Sequence, residues 1–333
     1  MGKWSSRLAG AVSGFWPCRC VGKSPAEPSV GATSPDHAVD AFMASDIGCV
    51  RSSNQDSIAF VSPSDADVRR RLGVLAVVAD GMGGHNGGEV ASALAVETIC
   101  RHYFAAPDDD PGQALALALR EANGVVFRAS EADLALDGMG TTATAVALIG
   151  TRVVFAHVGD SRLYRCVGGR CTQLTTDDSF VAEMVKNRMI TAEQALHHPA
   201  RNVLLRSLGT QAKLWLVAQS CDAATPGDCF VLCSDGLWDM VEMQEIARIV
   251  ASVEAEEACR QLIELARERG GSDNITAVVA DVTGDALRRV AGPETVTQTF
   301  QVISEFASPV KKANPATPPT TEVSTVERDG WDD

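Results

Sequence analysis

Five short motifs carry aspartates at intervals along the chain, and each contains glycine. They read Asp46-Ile47-Gly48-x-x-Arg51-x-x-Asn54-Gln55-Asp56, Ala79-Asp80-Gly81-Met82-Gly83-Gly84-His85, Gly159-Asp160-Ser161-Arg162, Ser234-Asp235-Gly236 and Gly271-Ser272-Asp273-Asn274. Asp80, Asp235 and Asp273 end or begin the apolar runs 74–79, 230–233 and 275–280, which read as buried strands. A carboxylate at the tip of a core strand is costly to bury alone, so several converging ones call for a compensating cation. Ligands that are all oxygen select hard ions, Mg²⁺ or Mn²⁺, over zinc. The chemistry such a set supports is metal-assisted attack on a phosphate.

Each motif also has a plainer reading. Asp-Gly is among the commonest hairpin turns, and taken alone Asp80-Gly81 reads as one. Three strand-end aspartates together, each in the wording of the family resembled below, reverse that judgement. For Asp160 the turn and the metal readings stand level. The glycine-rich stretch after Asp80 invites a nucleotide reading, but Gly81-x-Gly83-x-x-Asn86 lacks the last glycine of a dinucleotide fingerprint. No G-x-x-x-x-G-K-[ST] occurs either, because Gly87-Gly88 is followed by Glu89. The glycines instead let backbone approach the ions and open a helix from Val90.

In wording, order and spacing the five motifs resemble the metal-dependent serine/threonine phosphatases of the protein phosphatase 2C family, in its bacterial branch. The resemblance covers residues 37–283. It implies an α+β fold, a four-layer α-β-β-α sandwich of two antiparallel sheets with flanking helices. It also implies that Asp80 bridges two Mn²⁺ or Mg²⁺ ions, with the Gly81 carbonyl helping to hold one. Asp235 and Asp273 would complete the other ion's shell, Asp56 would act close by through ordered water, and Asp160 would hold a third, weaker ion. Arg51 stands where the family keeps its phosphate-binding arginine; read alone, it is a surface ion-pair residue. Two ions sharing a water supply hydroxide near neutral pH, and its in-line attack on phosphorus needs no covalent phosphoenzyme. Two positions depart from the animal members. Gln55 replaces a glutamate, and Met82 replaces a histidine taken as general acid. His85 lies nearby, with a helix-cap or loop role weighing equally.

The elements that must position these residues follow from periodicity. Segments 90–104, 114–130 and 255–268 carry helical spacing, whereas 144–148, 153–158 and 163–167 read as strands, with Gly168-Gly169 as a hairpin turn. Strands clustered in the middle with long helices before and after argue for α+β layering. Residues 178–209 break the strand pattern with two short helical stretches, and by resemblance form a flap beside the site. Residues 1–36 read as an N-terminal extension whose 25–35 portion is a Pro/Ser/Gly/Ala linker, and 284–333 as a disordered tail.

Across all 333 residues the formal charge is −14, and no Lys/Arg stripe appears, which argues against a nucleic-acid partner. Aromatic residues are only 5%, so the core is expected to be Ala, Val and Leu. The ten cysteines show no C-x-x-C spacing; Cys229 and Cys233 read as small core hydrophobes, and a reducing cytoplasm is the simplest home for them. Residues 8–16 faintly resemble a signal peptide but are short and broken by Gly10 and Gly14. Met1-Gly2-Lys3-Trp4-Ser5-Ser6 fits a myristoylation pattern, and no stretch is long enough to span a membrane. The expected protein is a cytoplasmic monomer acting on phosphorylated proteins and opposing a bacterial serine/threonine kinase. A phosphatase-like binding module and a metal-dependent nuclease are the competing classes. Intact Asp80, Asp235, Asp273 and Arg51 oppose the first, and the negative charge opposes the second.

Overall fold

The computed structural model describes residues 38–83, 87–107 and 110–283. The N-terminal extension, the C-terminal tail and His85 all lie outside the described residues. In chain order the first elements are β1 (Ala38–Asp46), β2 (Asp56–Val61), α1 (Ala66–Leu72), β3 (Val74–Met82), α2 (Gly87–Phe104) and α3 (Pro111–Ala132). A run of strands follows: β4 (Gly140–Thr141), β5 (Ala143–Ile149), β6 (Arg152–Val158), β7 (Arg162–Val167) and β8 (Arg170–Gln173). Then come α4 (Phe180–Lys186), α5 (Ala192–Leu196), β9 (Gln219–Cys221), β10 (Cys229–Cys233), α6 (Asp235–Trp238), α7 (Met243–Val250), α8 (Ala255–Glu268) and β11 (Ile275–Thr283).

The strands form two antiparallel sheets, ordered β1-β11-β10-β7-β8 and β2-β3-β5-β6-β9, with β4 added beside β3. The period-two alternation of side chains sorts them into layers. Val74, Ala76 and Val78 join Phe230, Leu232 and Val278 between the sheets, while Leu75, Val77 and Ala79 face α2 and α3 on the outside. On the other sheet Val231, Cys233, Ala277 and Val279 pack against α7 and α8. The result is the expected α-β-β-α sandwich. Among the described aromatics Tyr103, Tyr164 and Phe230 are sealed in, and Tyr103 donates its hydroxyl to the Leu72 carbonyl at 2.7 Å.

Local chemistry explains the element ends. Asp110 caps α3 through the Gly112 amide, and Pro111 supplies a first helical residue that needs no donor. Ser179 accepts from Ala182 N to start α4, and Thr191 with Gln194 closes a capping box at α5. The two helical stretches expected within 178–209 are therefore α4 and α5. Gly168 and Gly169 both take positive φ, 56° and 76°, which the two-residue turn between β7 and β8 requires.

Two expectations change. Strand β3 runs through Asp80 and Gly81 to Met82, three residues beyond the apolar run, because β4 continues the pairing there. Among the described cysteines six are free thiols, yet Cys166 and Cys171 sit opposite each other across the β7–β8 hairpin and are joined as a disulfide. Register makes that pair, and a spacing rule for metal-binding cysteines cannot find it.

Candidate active site

The strand ends deliver the motif residues to one place. The β2–β3 register sets Asp56 directly opposite Asp80. On the other sheet Cys233 pairs with Ala277, so the chain just after β10 runs beside the chain just before β11, and Ser234 N donates to the Thr276 carbonyl. Asp235 and Asp273 therefore emerge as neighbours. The approach is close enough that Gly236 leaves no room for a side chain: a Cβ there would sit 2.1 Å from the Asn274 carbonyl oxygen. At Gly81 a Cβ would lie 2.0 Å from the Gly88 oxygen and 2.5 Å from that of Gln55. Both glycines are demanded by packing of backbone on backbone.

Burial and mutual repulsion dominate the electrostatics. Asp80 is held well above the usual carboxylate range by burial, then by Asp56, Asp235, Asp160 and Asp273. Burial pushes Asp56 to about 7, although hydrogen bonds from Thr276 and Ser234 pull it down. Asp235 rises to about 6 through burial and the charge of Asp273, and Asp160 to about 8 through burial first and Asp235 next. Asp56 Oδ2 accepts from Ser234 Oγ at 2.7 Å and Thr276 Oγ1 at 2.5 Å, whereas the buried Oδ1 atoms of Asp56 and Asp235 have no hydrogen-bond partner.

Orphaned, buried, oxygen-only acceptors beside like charges fit a hard divalent cation. Among the described residues no three carboxylate, histidine or cysteine side chains already close on one point as a finished metal cage. Part of the reason is visible. Arg51 donates to Asp273 Oδ2 at 2.6 Å, so this carboxylate is neutralised by the guanidinium expected to bind phosphate. The ion-pair reading of Arg51 and its phosphate reading thus meet in one residue at the site's edge.

Three residues gain importance that sequence reasoning did not assign. Asn274 is a hub: its Nδ2 donates to the carbonyls of Ile47 and Ser53, and its Oδ1 accepts from Gln55 N at 2.9 Å. It thereby locks the first motif against the last. Asp239, one turn after Asp235, is raised by burial and pairs with Arg201 at 3.2 Å, tying the 178–209 segment to α6. Its i, i+4 spacing from Asp235 was a legible signal. Trp238 donates Nε1–H to the Asp160 carbonyl at 2.9 Å and carries the Arg162 guanidinium 3.5 Å over its ring. Asp160 itself is buried beside α6, next to the other aspartates and not on an open turn. A separate cleft of about 430 Å³, lined by Arg120, Arg152 and Val217 among others, shares none of these residues.

Two helix-backed antiparallel sheets gather buried carboxylates at their strand ends, a donor set suited to hard divalent cations. The profile of the family described as Protein phosphatase 2C matches residues 50–280, and the chain belongs to that family. It is 40% identical over 243 residues to the serine/threonine protein phosphatase PstP of Mycobacterium tuberculosis, covering 72% of this chain but only 44% of that one. A putative protein phosphatase 2C-type from Streptococcus pyogenes is 38% identical over 236 residues, with 69% of this chain and 92% of that one covered. Among solved structures, the PstP catalytic domain in complex with two manganese ions superposes with a TM-score of 0.64 at 36% identity. That match covers 74% of this chain and 98% of the other. Serine/threonine phosphatase Stp1 from Staphylococcus aureus gives 0.68 at 29% identity, covering 77% and 100%. Among the described residues no helix is long and apolar enough to cross a membrane.

Proposed function

We propose that the chain is a metal-dependent protein phosphatase that hydrolyses phosphoserine and phosphothreonine with two Mn²⁺ or Mg²⁺ ions, and a third held more weakly. The observation that carries this is the convergence of Asp56, Asp80, Asp160, Asp235 and Asp273, mutually repelling, with the Oδ1 atoms of Asp56 and Asp235 buried and unpartnered. Asp80, the Gly81 carbonyl, Asp235 and Asp273 would hold the two ions, Asp160 the third, and Asp56 would orient the shell from behind, anchored by Ser234 and Thr276. When bound, the ions supply Lewis acidity and a water acidic enough to act as nucleophile near neutral pH.

The chain's own residues do the rest. Arg51, half-exposed and planar, takes two phosphate oxygens once it leaves Asp273, an exchange of one charge-assisted partner for another. Met82 has no proton to give, so the leaving serine or threonine oxygen is protonated from solvent in the site and not from position 82. Residues 37–283 form the catalytic unit, and 178–209 its flap, held at the base by Asp178 N donating to the Gly159 carbonyl and by the Arg201–Asp239 pair.

Its substrates would be proteins phosphorylated by a bacterial serine/threonine kinase, met in the cytoplasm by a monomer. Six free thiols among the described residues support a reducing setting. Persistence of the Cys166–Cys171 bond after trapping thiols in intact cells would count against it. The deciding assay is phosphate release from a phosphothreonine peptide with Mn²⁺, with and without chelator. Tight Mn²⁺ binding without any turnover would favour the binding-module alternative.

A further inference from the structure

On the side away from β2, the pairing of β3 is interrupted at Asp80. The β3–β5 ladder makes its last pair at Val78 and Thr144, and β4 resumes pairing at Gly81 and Thr141. Asp80 sits in the gap between the two ladders. Its amide donates to a side chain, Thr142 Oγ1, at 2.8 Å, and its carbonyl accepts from Thr142 N at 2.8 Å and Thr141 Oγ1 at 2.8 Å. The backbone of the central carboxylate is therefore held by threonines where a strand would otherwise hold it.

Those threonines are the near end of a buried chain of hydrogen bonds. Thr142 Oγ1 lies 2.7 Å from Ser161 Oγ, next in sequence to Asp160. The Ser161 carbonyl accepts from Thr144 Oγ1 at 2.9 Å, and Thr144 Oγ1 lies 2.8 Å from His157 Nδ1. Because the Thr144 hydroxyl spends its proton on Ser161, its oxygen must accept from His157, which places the imidazole proton on Nδ1. The Nε2 atom is buried, and the ring lies against the Gly159 backbone and faces Asp177, Asp178 and Arg206 at the base of the 178–209 segment. Thr142, Thr144 and Ser161 are sealed from solvent.

We propose that Thr142, Ser161, Thr144 and His157 are positioning residues that couple the Asp80 backbone to the Asp160 turn and the flap base, so that both metal-binding carboxylates are set together. The inference rests on the proposed metal-dependent phosphatase reading. None of the four is among the residues proposed to hold an ion or a phosphate. They act by holding the groups that do, much as outer partners hold metal ligands elsewhere.

Isosteric variants separate hydrogen bonding from packing. Thr142→Val keeps the methyl that abuts Gly159 and loses only the hydroxyl, whereas Thr142→Ser keeps the hydroxyl and loses the methyl. At the far end His157→Asn keeps a donor in place of Nδ1–H, and His157→Ala removes it. Calorimetric titration of Mn²⁺ into chelator-stripped protein reads the outcome without any turnover. Expected is a loss of Mn²⁺ affinity of roughly ten- to a hundredfold in Thr142→Val and a smaller loss in His157→Ala. Thr142→Ser and His157→Asn should stay near wild type. Wild-type affinity in Thr142→Val, or equal losses in its valine and serine variants, overturns the coupling. If Thr142→Val does not fold, Ser161→Ala carries the same expectation and the same refutation. A wild-type protein that binds Mn²⁺ yet releases no phosphate from a phosphothreonine peptide refutes the phosphatase reading instead, and leaves the affinity test standing.

Discussion

Replacing Asp235 by asparagine should stabilise the metal-free protein while destroying its activity. Burial and the charge of Asp273 raise this carboxyl from 3.8 to about 6. A carboxyl whose folded pKa is raised contributes its stability below the unfolded value and loses it as pH climbs through the folded one. At pH 7.5 the cost of keeping Asp235 ionised is about 3 kcal/mol, and by pH 4 it has shrunk to less than about 1 kcal/mol. Asparagine removes that cost but leaves an amide to be solvated. The expected net gain is about 1–3 kcal/mol in chelator at pH 7.5, a rise in Tm of about 3–8 °C for a domain of this size. Mn²⁺ should then reverse the order. A wild type bound at a hundred times its Kd gains about 2.7 kcal/mol, and the variant, lacking a ligand, gains little. The assay is a set of thermal melts at pH 4 and 7.5, in chelator and in Mn²⁺, beside phosphopeptide turnover. An Asp235→Asn protein that melts lower than wild type in chelator at pH 7.5, by the same margin at pH 4, would refute the electrostatic argument. Full turnover by that variant would refute the metal assignment.

Arg51→Ala should raise KM for phosphopeptides and lower kcat/KM roughly ten- to a hundredfold, the worth of a charge-assisted contact, and steady-state kinetics unchanged in both would return Arg51 to a purely structural pair with Asp273. Asp80→Asn should abolish turnover at every Mn²⁺ concentration while circular dichroism stays native, because the ladder groups of β3 do not depend on its carboxylate. Removing residues 1–36 and 284–333 should leave turnover of an aryl phosphate within about twofold, since the sandwich core and the carboxylates lie in 38–283. His85→Ala should slow phosphopeptides and aryl phosphates equally and little; a loss on the scale of general acid help, roughly 10²–10⁴-fold, confined to phosphopeptides would identify it as the proton donor.

The local devices of this protein were legible in its sequence. Continuous apolar runs marked β3 and β11, helical spacing marked α2, α3 and α8, and paired glycines marked the β7–β8 turn, because each depends on residues within a few positions of one another. The motif aspartates were legible too, since buried carboxylates at strand ends are too costly to occur without a reason. What residues far apart do to one another was not. That Arg51 reaches across to Asp273 and that Asn274 joins two motifs over two hundred positions apart both follow from strand order and register. The gap in the β3 ladder, filled by Thr142 and relayed through Ser161 and Thr144 to His157, is of the same kind. Hydrogen bonds reach about 3 Å, and only strand register within each sheet and the packing of one sheet on the other bring such groups within that distance.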